Sequence, residues 1–560
     1  MNTPIQPKRT LSIGLVITLI LLITAFIPCK AQAPLVNTVG KIMPSDAAPL
    51  ERQKFRYLLR EPTSLDISVV TYNADGTQFL FERLVMLDEN NDLVPGAAER
   101  WERSEDGKTW TFHLYKDARW SDGRSMTAHD WEYTYKRLLD PTSGNIFAFF
   151  YYDIKGAKAV NQGRIKDLDA VGVQAIDDHT LVIETENPCP YLPYITSFST
   201  SAPVPRWQVE KYGPKWTEPG NCVSNSSYRL DTWDHGRSMS FVLNPYYTGP
   251  NKGFLERITG LFYTGAEPGT LPYENNEVDL HGVGAMDITR VLNDPVLGKE
   301  IDRSPFPATW YLFFKTEHPP FNDVRVRQAI AHAIDRVSLC SVVLRDTMEP
   351  AYTMNPPTLP GYVGDKHRAL QQYDPALAKR LLAEAGYPNG RGFPKTEMWL
   401  RQAAPNIKST AVAVQGMLQN TLGIHIEVRD QEQKVFTDNM IRRDIPMALI
   451  GYTYDYPDPS DMIGLVWHSQ PSGYGRHDWK NEAFDDLVDR AARELDQEKR
   501  MQMYDEAERI LAEDVGGVFL FHTLSIELRK PWLKGIKKDR WGNYPLTVQN
   551  TTFMDLYIGR

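Results

Sequence analysis

Apolar residues recur at helical spacing in several stretches of the chain. In NDVRVRQAIAHAIDRVSL, residues 322–339, an apolar stripe returns every three or four positions, as expected for a helix with one buried face. The stripe consists of Val326, Ala329, Ile330, Ala333, Ile334 and Val337. In YDPALAKRLLAEAGYP both helix ends are specified, because Asp374 suits the N-cap, Pro375 the first turn and Gly386 the terminus.

Three further stretches carry helix signals. MTAHDWEYTYKRLLDP predicts a helix that Thr127 caps and that ends before Pro141. Residues 484–515 predict two helices that separate near Asp496, and Gln78 to Val85 predicts a short amphipathic helix.

Between the helices lie apolar runs of strand length. Residues Trp110 to Leu114 alternate between apolar and polar positions, as a half-buried strand does. The runs IHIEVRD, MALIGY and GVFLFHT are also typical of strands. Alternation of strands and helices along the chain predicts an α/β fold. At 560 residues the chain is long enough for about three or four domains.

The N-terminus has the order of a secretory signal peptide. Lys8 and Arg9 precede an uncharged apolar run from Leu11 to Ile27, and the small-residue segment PCKAQA follows. We expect cleavage after Ala31, so that residues 1–31 are removed and the mature protein is exported and soluble. An uncleaved anchor is the alternative that the length of the run leaves open. A lipoprotein anchored at Cys29 is disfavoured, because Pro28 stands where such signals carry a small residue.

Three cysteines remain after the signal peptide. An exported protein meets an oxidising compartment, in which disulfides form and persist. Cys189 and Cys222 lie in loop-like contexts, and we predict that they pair, whereas Cys340 on a predicted helix stays buried and free. The spacing of cysteines and histidines does not resemble a zinc site.

Charge and motif content narrow the function. The net charge of −9 and the absence of a basic run argue against nucleic acid as a partner. The aromatic fraction of 11% suits either a large core or a ligand cleft. Nucleophile elbows, phosphate-binding glycine loops and the His-Glu-x-x-His motif are absent from the sequence, so no common enzyme class is indicated. A hydrolase with paired cleft carboxylates stays open as an alternative.

One short stretch concentrates rings and carboxylates directly after an apolar strand. YTYDYPDPSD, Tyr452 to Asp461, follows Met447 to Gly451. It could be an acidic turn, a metal site, a catalytic dyad or a ligand anchor. The spacing of its three aspartates lacks the alternating ligands and the glycine of a calcium loop, so metal binding is disfavoured.

Several long motifs together resemble one protein family. They are VPGAAERWERSEDGKTWTFHLYKDARWSDG, TAHDWEYTYKRLLDP, AIDDHTLVIETENPCPYLPYI, EKYGPKWTEPGNCVSNSSYRLDTW and PPFNDVRVRQAIAHAIDR. In this order, and over nearly all of the mature chain, they are similar to the periplasmic solute-binding proteins of ABC importers, the peptide and nickel class known as family 5. The resemblance is strongest to oligopeptide-binding members.

The resemblance implies the large, three-domain, two-lobed periplasmic-binding-protein fold of type II. Domain I would comprise 34–81, 206–308 and 523–560, domain II 82–205, and domain III 309–522. It further implies a monomeric, non-enzymatic receptor without a cofactor, which captures a short peptide in the hinged cleft between domains I and III. The partner would be an ABC permease complex of the inner membrane.

The resemblance also implies which residues line the cleft. Asp455 matches the aspartate that receives the ligand's ammonium group, and Tyr452 and Tyr454 are expected to wall the cleft. Asp458 and Asp461 are interpreted as cap or surface residues. The full set of predicted ligand contacts is Val70, Thr71, Tyr72, His281, Gly282, Gly451, Tyr452, Thr453, Tyr454, Asp455, His522 and Thr523.

The sequence departs from the family where relatives bind the ligand's carboxylate. Leu449 stands at the position of an expected arginine, and only Arg442 and Arg443 could replace it, given a shift in register. Gln433 stands at the position of a pocket tryptophan, and SNSSY, residues 224–228, replaces the usual Asn-Gly-Ala-Tyr turn. A non-peptide solute, such as a metal chelate, haem, a sugar or an opine-like compound, therefore remains the alternative ligand. An exported chaperone is a further alternative.

Overall fold

The computed structural model describes Met1 and residues 34–69, 75–264, 268–469, 478–545 and 551–560. The predicted signal peptide, apart from Met1, and the predicted contacts Val70, Thr71 and Tyr72 lie outside the described residues.

Extended segments build most of the framework. In chain order the strands are β1 (Lys54–Leu59), β2 (Val85–Leu87), β3 (Leu93–Pro95), β4 (Ala98–Arg103), β5 (Thr109–Leu114), β6 (Val173–Asp177), β7 (Thr180–Glu184), β8 (Tyr228–Asp234), β9 (Ser238–Leu243), β10 (Arg257–Phe262), β11 (Leu280–Gly282), β12 (Ile301–Phe314), β13 (Met348–Pro350), β14 (Thr396–Arg401), β15 (Ile426–Gln431), β16 (Met447–Thr453), β17 (Gly517–Arg529), β18 (Leu533–Lys534) and β19 (Tyr557–Ile558).

Helices cover the strands. The α-helices are α1 (Thr77–Leu80), α2 (Ala128–Leu139), α3 (Ala157–Asn161), α4 (Leu192–Ile195), α5 (Arg206–Tyr212), α6 (Leu271–Glu274), α7 (Ile288–Asn293), α8 (Leu297–Glu300), α9 (Val324–Ala333), α10 (Arg336–Ser338), α11 (Pro375–Glu384), α12 (Pro405–Leu422), α13 (Gln433–Ile441), α14 (Glu482–Ala491) and α15 (Gln497–Glu513). Two π-helical turns span Leu339–Val343 and Ser460–Leu465. Short 3-10 turns span Leu50–Arg52, Pro141–Ser143, Ala148–Tyr151, Leu168–Ala170, Ser199–Ser201, Gly213–Thr217, Gly364–Leu370, Pro388–Gly390 and Thr551–Asp555.

One mixed sheet runs through both lobes of the α/β fold. Its strand order is β15-β14-β16-β12-β17-β11-β1-β10-β9-β8, and β13 pairs with β17 beside it. A separate antiparallel sheet has the order β4-β5-β7-β6. In the large sheet the first four strands of the order belong to one lobe and the last five to the other, so β17 and its neighbour β12 connect the two.

Two long strands cross between the lobes. Residues 301–305 of β12 pair with 524–528 of β17, and residues 309–313 pair with 517–522. The register shifts between Pro305 and Thr309, where the sequence is PFPAT. Proline has no N–H to donate to the ladder, so Pro305 and Pro307 favour an interruption at this point. The connection between the lobes is therefore a pair of strands with a break in its regular pairing.

Separate hydrophobic clusters fill the structure. One cluster, including Phe55, Trp216 and Phe241, lies against the β1-to-β10 side of the large sheet, and a second, including Trp120, Trp131 and Ile183, packs on the four-stranded sheet. Two more clusters cover the two faces of β12, β16 and β17. Since β16 is covered on both faces, its sequence is continuously apolar rather than alternating.

The helix predictions from periodicity are largely confirmed. The side chain of Asp374 accepts hydrogen bonds from the first turn of α11, Thr127 and Asp130 form a capping box on α2, and Asp496 caps α15 after the break from α14. Val337 is an exception in the apolar stripe, because it is 52% exposed. The helix ends at Ala333 and a new one begins after Asp335, which rotates Val337 away from the core.

The predicted helix from Gln78 to Val85 is wrong in length. Helix α1 ends at Leu80, and Val85 already belongs to β2. The backbone N–H of Glu82 donates to the side chain of Asn225 at 3.0 Å, and the amide of Asn225 donates back to the carbonyl of Glu82 at 2.9 Å. These long-range hydrogen bonds replace the helical ones, and they come from the unusual segment 224–228.

The predicted disulfide between Cys189 and Cys222 is also wrong. Both thiols are free, as is that of Cys340, which is buried as expected. Cys189 belongs to the core beside the four-stranded sheet, whereas Cys222 packs against the core of the β1-to-β10 side. Loop-like sequence contexts do not bring two sulfurs within bonding range when each one is held in a different core.

A buried ion pair fixes the chain after β16. The guanidinium of Arg500 on α15 donates to both oxygens of Asp458, with Nη1 and Oδ2 2.6 Å apart, and both side chains are 2% exposed. The Arg500 side chain also lies over the ring of Tyr191, 5.3 Å from its centroid. Because a buried charge without its partner is costly, this pair holds the acidic segment in one place.

We expect Asp458→Ala to lower the free energy of unfolding by about 3–5 kcal/mol, the usual cost of leaving a buried charge unpaired. The urea midpoint, followed by tryptophan fluorescence, measures the change. The double variant Asp458→Leu, Arg500→Met should regain most of the loss, because neither charge is then left alone. Asp486, whose pair with Arg490 is exposed, provides the control, and its replacement by alanine should leave the midpoint unchanged. A wild-type midpoint for Asp458→Ala would contradict the role of the pair.

Candidate functional site

Strand β16 brings the acidic segment to the surface of a cleft. Its residues Met447 to Ile450 are buried between β12 and β14, whereas Gly451 is half-buried and Thr453 is exposed. The strand therefore leaves the core at its carboxyl end. Asp455 follows two residues later and is half-buried.

The carboxyl end of β16 has a neighbour on one side. Residues 451–453 pair with 308–310 of β12. On the opposite side β14 runs parallel to β16 but pairs with it through Trp399 and Ala448, and β14 ends at Arg401. Within the described part of the chain, no strand pairs with Gly451 to Thr453 on that side. Alternate backbone groups of an antiparallel strand point away from its partner, so this edge is where a further strand would pair.

The turn after β14 keeps this edge open. Gln402 has a φ of +41°, in the left-handed region that side chains other than glycine seldom adopt. The turn is held by Asp430, whose carboxylate accepts a hydrogen bond from the backbone N–H of Ala403 at 2.9 Å and pairs with Lys408 at 2.8 Å. The chain therefore leaves the sheet abruptly and enters α12, and the sheet position beyond Arg401 stays vacant.

A cavity of about 310 Å³ lies at this vacant position. Its walls come from β12, β13, β16, β17, the end of β14, the turn that follows it and the first turn of α12. The lining residues are Trp310, Met348, Arg401, Gln402, Ala403, Ala404, Asn406, Ile407, Leu449, Ile450, Gly451 and Thr523. A Cβ on Gly451 would lie 2.6 Å from Cε2 of Trp310, so glycine is required where the indole ring covers the strand.

Two carboxylates share one hydroxyl at the end of β16. The hydroxyl of Tyr452 lies 2.6 Å from Oδ1 of Asp461 and 3.3 Å from Oδ2 of Asp455. Oδ2 of Asp461 accepts the backbone N–H groups of Asp455 at 2.9 Å and of Tyr456 at 3.2 Å. Asp461 thus shapes the turn that presents Asp455.

Burial and the nearby Asp455 raise the pKa of Asp461 well above its ordinary value. A tyrosine hydroxyl has a single hydrogen and can fully satisfy one of the two carboxylates at a time. Two negative charges this close repel each other in a partly dry environment, so the pair favours an extra proton or another cation.

The turn also packs against the neighbouring core. The ring of Tyr456 stacks on Tyr191 with centroids 6.3 Å apart and meets Phe150 edge-on at 5.9 Å. The hydroxyl of Tyr454 accepts a hydrogen bond from the amide of Asn91 at 3.2 Å. The ring contacts join the segment after β16 to the core on the four-stranded sheet, and the hydrogen bond joins it to the turn between β2 and β3. Burial raises the pKa of both tyrosines. Tyr454 is therefore buried within the protein and does not form an exposed wall of the cleft.

The interpretation of Asp458 and Asp461 as surface residues is wrong, since both are buried. The capping interpretation is closer. Oδ1 of Asp458 accepts the backbone N–H of Ser460 at 2.9 Å at the start of the π-helical turn, and Asp461 binds the two N–H groups described above. The sequence shows that Asp461 follows Asp455 by six residues, but this spacing does not indicate whether either carboxyl group is buried.

The other predicted contacts divide into two groups. Thr523 and Gly451 line the cavity. His522 does not, because it is buried and bonded to the hydroxyl of Thr309 at 2.9 Å, and burial lowers its pKa to about 3. His281 and Gly282 lie on β11 in the other lobe, where burial lowers the pKa of His281.

Neither predicted substitute for the missing arginine reaches the cavity. Arg442 is exposed beside Asp444, and Arg443 lies 4.0 Å from Asp478. Both precede β16, so they lie at the end of the strand opposite to Asp455, about 20 Å away along the seven-residue strand. The structure instead places Arg401 at the cavity, next to Leu449. Sequence reasoning missed it because Arg401 belongs to another strand, 48 residues before Leu449.

The described residues bear on two other classes of site. Among them, no three His, Cys, Asp or Glu side chains are grouped as a metal ion requires. Within the same ranges, no helix is both long enough and apolar enough to cross a membrane.

Comparisons with known proteins agree with this architecture. Residues 92–474 match the model of the bacterial extracellular solute-binding proteins, family 5 middle. The chain is 31% identical to the periplasmic oligopeptide-binding protein OppA of Escherichia coli K12, over 86% of this chain and 87% of the relative. It is 30% identical to the probable deoxycholate-binding periplasmic protein YgiS of the same organism, over 88% and 92%.

Solved structures are similar as well. The Haemophilus influenzae OppA in complex with the peptide RPPGFSPFR matches with a TM-score of 0.72 and 27% identity, covering 91% of this chain and 99% of that one. The family model spans more than half of the sequence, and the relatives align over most of it. The chain belongs to family 5 of the bacterial extracellular solute-binding proteins.

Proposed function

We propose that this protein captures short peptides in the cleft between its lobes and delivers them to an ABC permease of the inner membrane. The observation that carries the proposal is the open edge of β16, which leads directly to the carboxylate of Asp455. A peptide has backbone donors and acceptors that can pair with the edge, and it has a positively charged end that can pair with the carboxylate.

The ammonium group of the peptide fits the carboxylate pair. Asp455 is half-buried and faces the cleft end of the strand, whereas Asp461 lies behind it and shares the hydroxyl of Tyr452. A cation placed at Asp455 relieves the repulsion between the two carboxylates. A buried ammonium in turn requires such a partner, because an unpaired charge in a closed cleft is costly.

The main chain of the peptide fits beside Gly451 to Thr453. Pairing with a strand edge uses backbone groups, which all peptides share, so it grips the ligand without reading its sequence. Thr453 is exposed, which leaves room beside it for variable side chains of the ligand. This arrangement suits a receptor of broad specificity.

Closure would bring the second lobe onto the ligand. The broken pairing of β12 with β17 supplies a place to bend, and His281 and Gly282 lie on β11, which pairs with β17 in the other lobe. We assign domain I to 34–81, 206–308 and 523–560, domain II to 82–205, and domain III to 309–522; the separate core clusters support this division. The mature protein would act as a periplasmic monomer, after cleavage following Ala31, and without catalysis.

A second candidate ligand is an apolar carboxylic acid. The cavity at β16 is walled largely by apolar side chains, among them Trp310, Met348 and Ile407, and the relative YgiS carries the name of a deoxycholate-binding protein. Native mass spectrometry of protein purified from the periplasm separates the candidates, since retained peptides fragment into residue masses and a sterol acid does not.

We expect Asp455→Ala to weaken binding of a short peptide by about 2–5 kcal/mol, the range for removing one partner of a buried charge pair. N-acetylation of the peptide should cost a similar amount. Because both changes remove the same contact, acetylation should weaken peptide binding to the Asp455→Ala variant hardly any further. Isothermal titration calorimetry with the four combinations measures this coupling.

Asp486→Ala serves as the control, because Asp486 is exposed on α14 and its replacement should leave binding unchanged. Additive losses from Asp455→Ala and acetylation would mean that the ammonium binds elsewhere. Wild-type protein that binds none of a broad panel of peptides would overturn the proposed function itself.

Peptide binding should release a proton. The free protein holds the pKa of Asp461 above its ordinary value of about 4, and the arriving ammonium lowers it again. Between these two pKa values binding expels a proton, so affinity rises with pH in that window. At pH 6 the peptide amine, with a pKa near 8, is still fully charged.

The proton count follows from the binding enthalpy measured at several pH values between about 4 and 7, each in buffers of different ionisation enthalpy. Asp461→Asn should abolish the release, because the amide keeps an oxygen for the two backbone N–H groups but does not titrate. An enthalpy that is independent of the buffer in the wild type would contradict the shared-proton account.

A further inference from the structure

We infer that Asn91, in the turn between β2 and β3, positions the carboxylate of Asp455 for the ammonium group of the peptide. Asn91 belongs to the segment assigned above to domain II, whereas the residues that line the cavity come from domains I and III. The inference rests on the proposed function. It gives domain II a part in ligand binding without contact to the ligand.

The turn between β2 and β3 fixes Asn91 at its tip. The carboxylate of Asp88 accepts the backbone N–H groups of Asn90 at 2.7 Å and of Asp92 at 2.9 Å. Asn91 lies between them with a φ of +60°, in the left-handed region that asparagine adopts more readily than most residues other than glycine. The backbone of the turn therefore sets the direction in which the side chain of Asn91 leaves it.

The side chain of Asn91 reaches domain III. Its amide nitrogen donates to the hydroxyl of Tyr454 at 3.2 Å and to the backbone carbonyl of Thr358 at 3.2 Å. An amide NH2 group has two hydrogens, so each of them has an acceptor here. Tyr454 is 3% exposed, and a buried hydroxyl that loses a partner is costly. The amide of Asn91 therefore holds the ring of Tyr454 in place.

Tyr454 in turn fixes the backbone that carries the anchor. Its own N–H donates to the carbonyl of Pro307 at 3.1 Å, in the segment where the pairing of β12 with β17 is interrupted. Asp455 is the next residue in the chain. The anchor therefore follows a residue that is held at its backbone by the proposed bending point and at its side chain by Asn91.

A second set of contacts joins the same turn to the C-terminal segment of domain I. The backbone N–H of Arg540 donates to the side-chain oxygen of Asn90 at 2.7 Å, and the guanidinium of Arg540 pairs with the carboxylate of Asp92. The turn thus contacts both lobes. Asn91 is a positioning residue, because it acts on the ligand through Tyr454 and Asp455.

The test compares a short peptide that has a free amino end with its N-acetylated form. Asn91→Gly keeps the left-handed turn, which glycine adopts without strain, and removes the amide. The variant should bind the free-amine peptide about two- to tenfold more weakly, the range for the loss of one neutral hydrogen bond, and should bind the acetylated peptide as the wild type does. Isothermal titration calorimetry measures both affinities. A role in general stability alone would leave their ratio unchanged.

Two further variants make the test specific. Tyr454→Phe removes the hydroxyl that accepts from Asn91, so it should lower the ratio by a similar factor, and combining it with Asn91→Gly should add little. Asn276→Gly is the matched control, because Asn276 is an exposed asparagine of domain I with a φ of +59°. This control should leave both affinities unchanged.

Three results would overturn the inference while leaving peptide binding intact. They are a wild-type ratio of affinities in Asn91→Gly, losses from Asn91→Gly and Tyr454→Phe that add in full, and the same change of ratio in Asn276→Gly. A wild type that binds both forms of the peptide equally would contradict the ammonium anchor, and the inference with it. A wild type that binds neither form would contradict the proposed function itself.

Discussion

The edge of β16 that extends beyond the end of β14 is the constraint on which the site depends. Backbone N–H and C=O groups that are removed from water need partners, and β16 loses its β14 neighbour three residues before it ends. The turn after β14 causes this loss. Gln402 adopts a left-handed conformation there, and Asp430 fixes the turn that leads the chain away from the sheet. A sheet position is thereby vacated inside a cleft, where a solute with its own backbone can complete the sheet.

A pair of carboxyl groups marks one end of this vacated position. The carboxyl groups of Asp455 and Asp461 lie together beyond the end of β16, and they favour a proton or another cation between them. The buried pair of Asp458 with Arg500 and the aromatic contacts of the following turn keep the acidic end rigid, so that the anchor does not depend on the ligand for its shape.

Local patterns in the sequence were sufficient for much of the fold. Caps such as Asp374 and the two-residue alternation around Trp110 act over a few neighbours, and the structure has the elements that they predict. The resemblance of several ordered motifs supplied the family and the candidate anchor Asp455. The errors arose where distant residues decide the outcome. Asn225 ends α1 by taking over its hydrogen bonds, and two separate cores keep Cys189 and Cys222 apart.

Arg401 illustrates the same limit at the site. Its place at the cavity depends on the register of two parallel strands, and the sequence separation between Arg401 and β16 conceals that register. The burial of Asp461 could not be predicted from the sequence either. Three hydrogen bonds stabilise the buried carboxyl group, and their donors come together only in the folded chain.

A crystal structure of the protein with a bound tetrapeptide tests this account most directly. We expect the peptide to run antiparallel to β16 beside Gly451 to Thr453, with its ammonium within hydrogen-bond distance of Asp455. A peptide that runs in the opposite direction, or that leaves the edge of β16 unpaired, would contradict it.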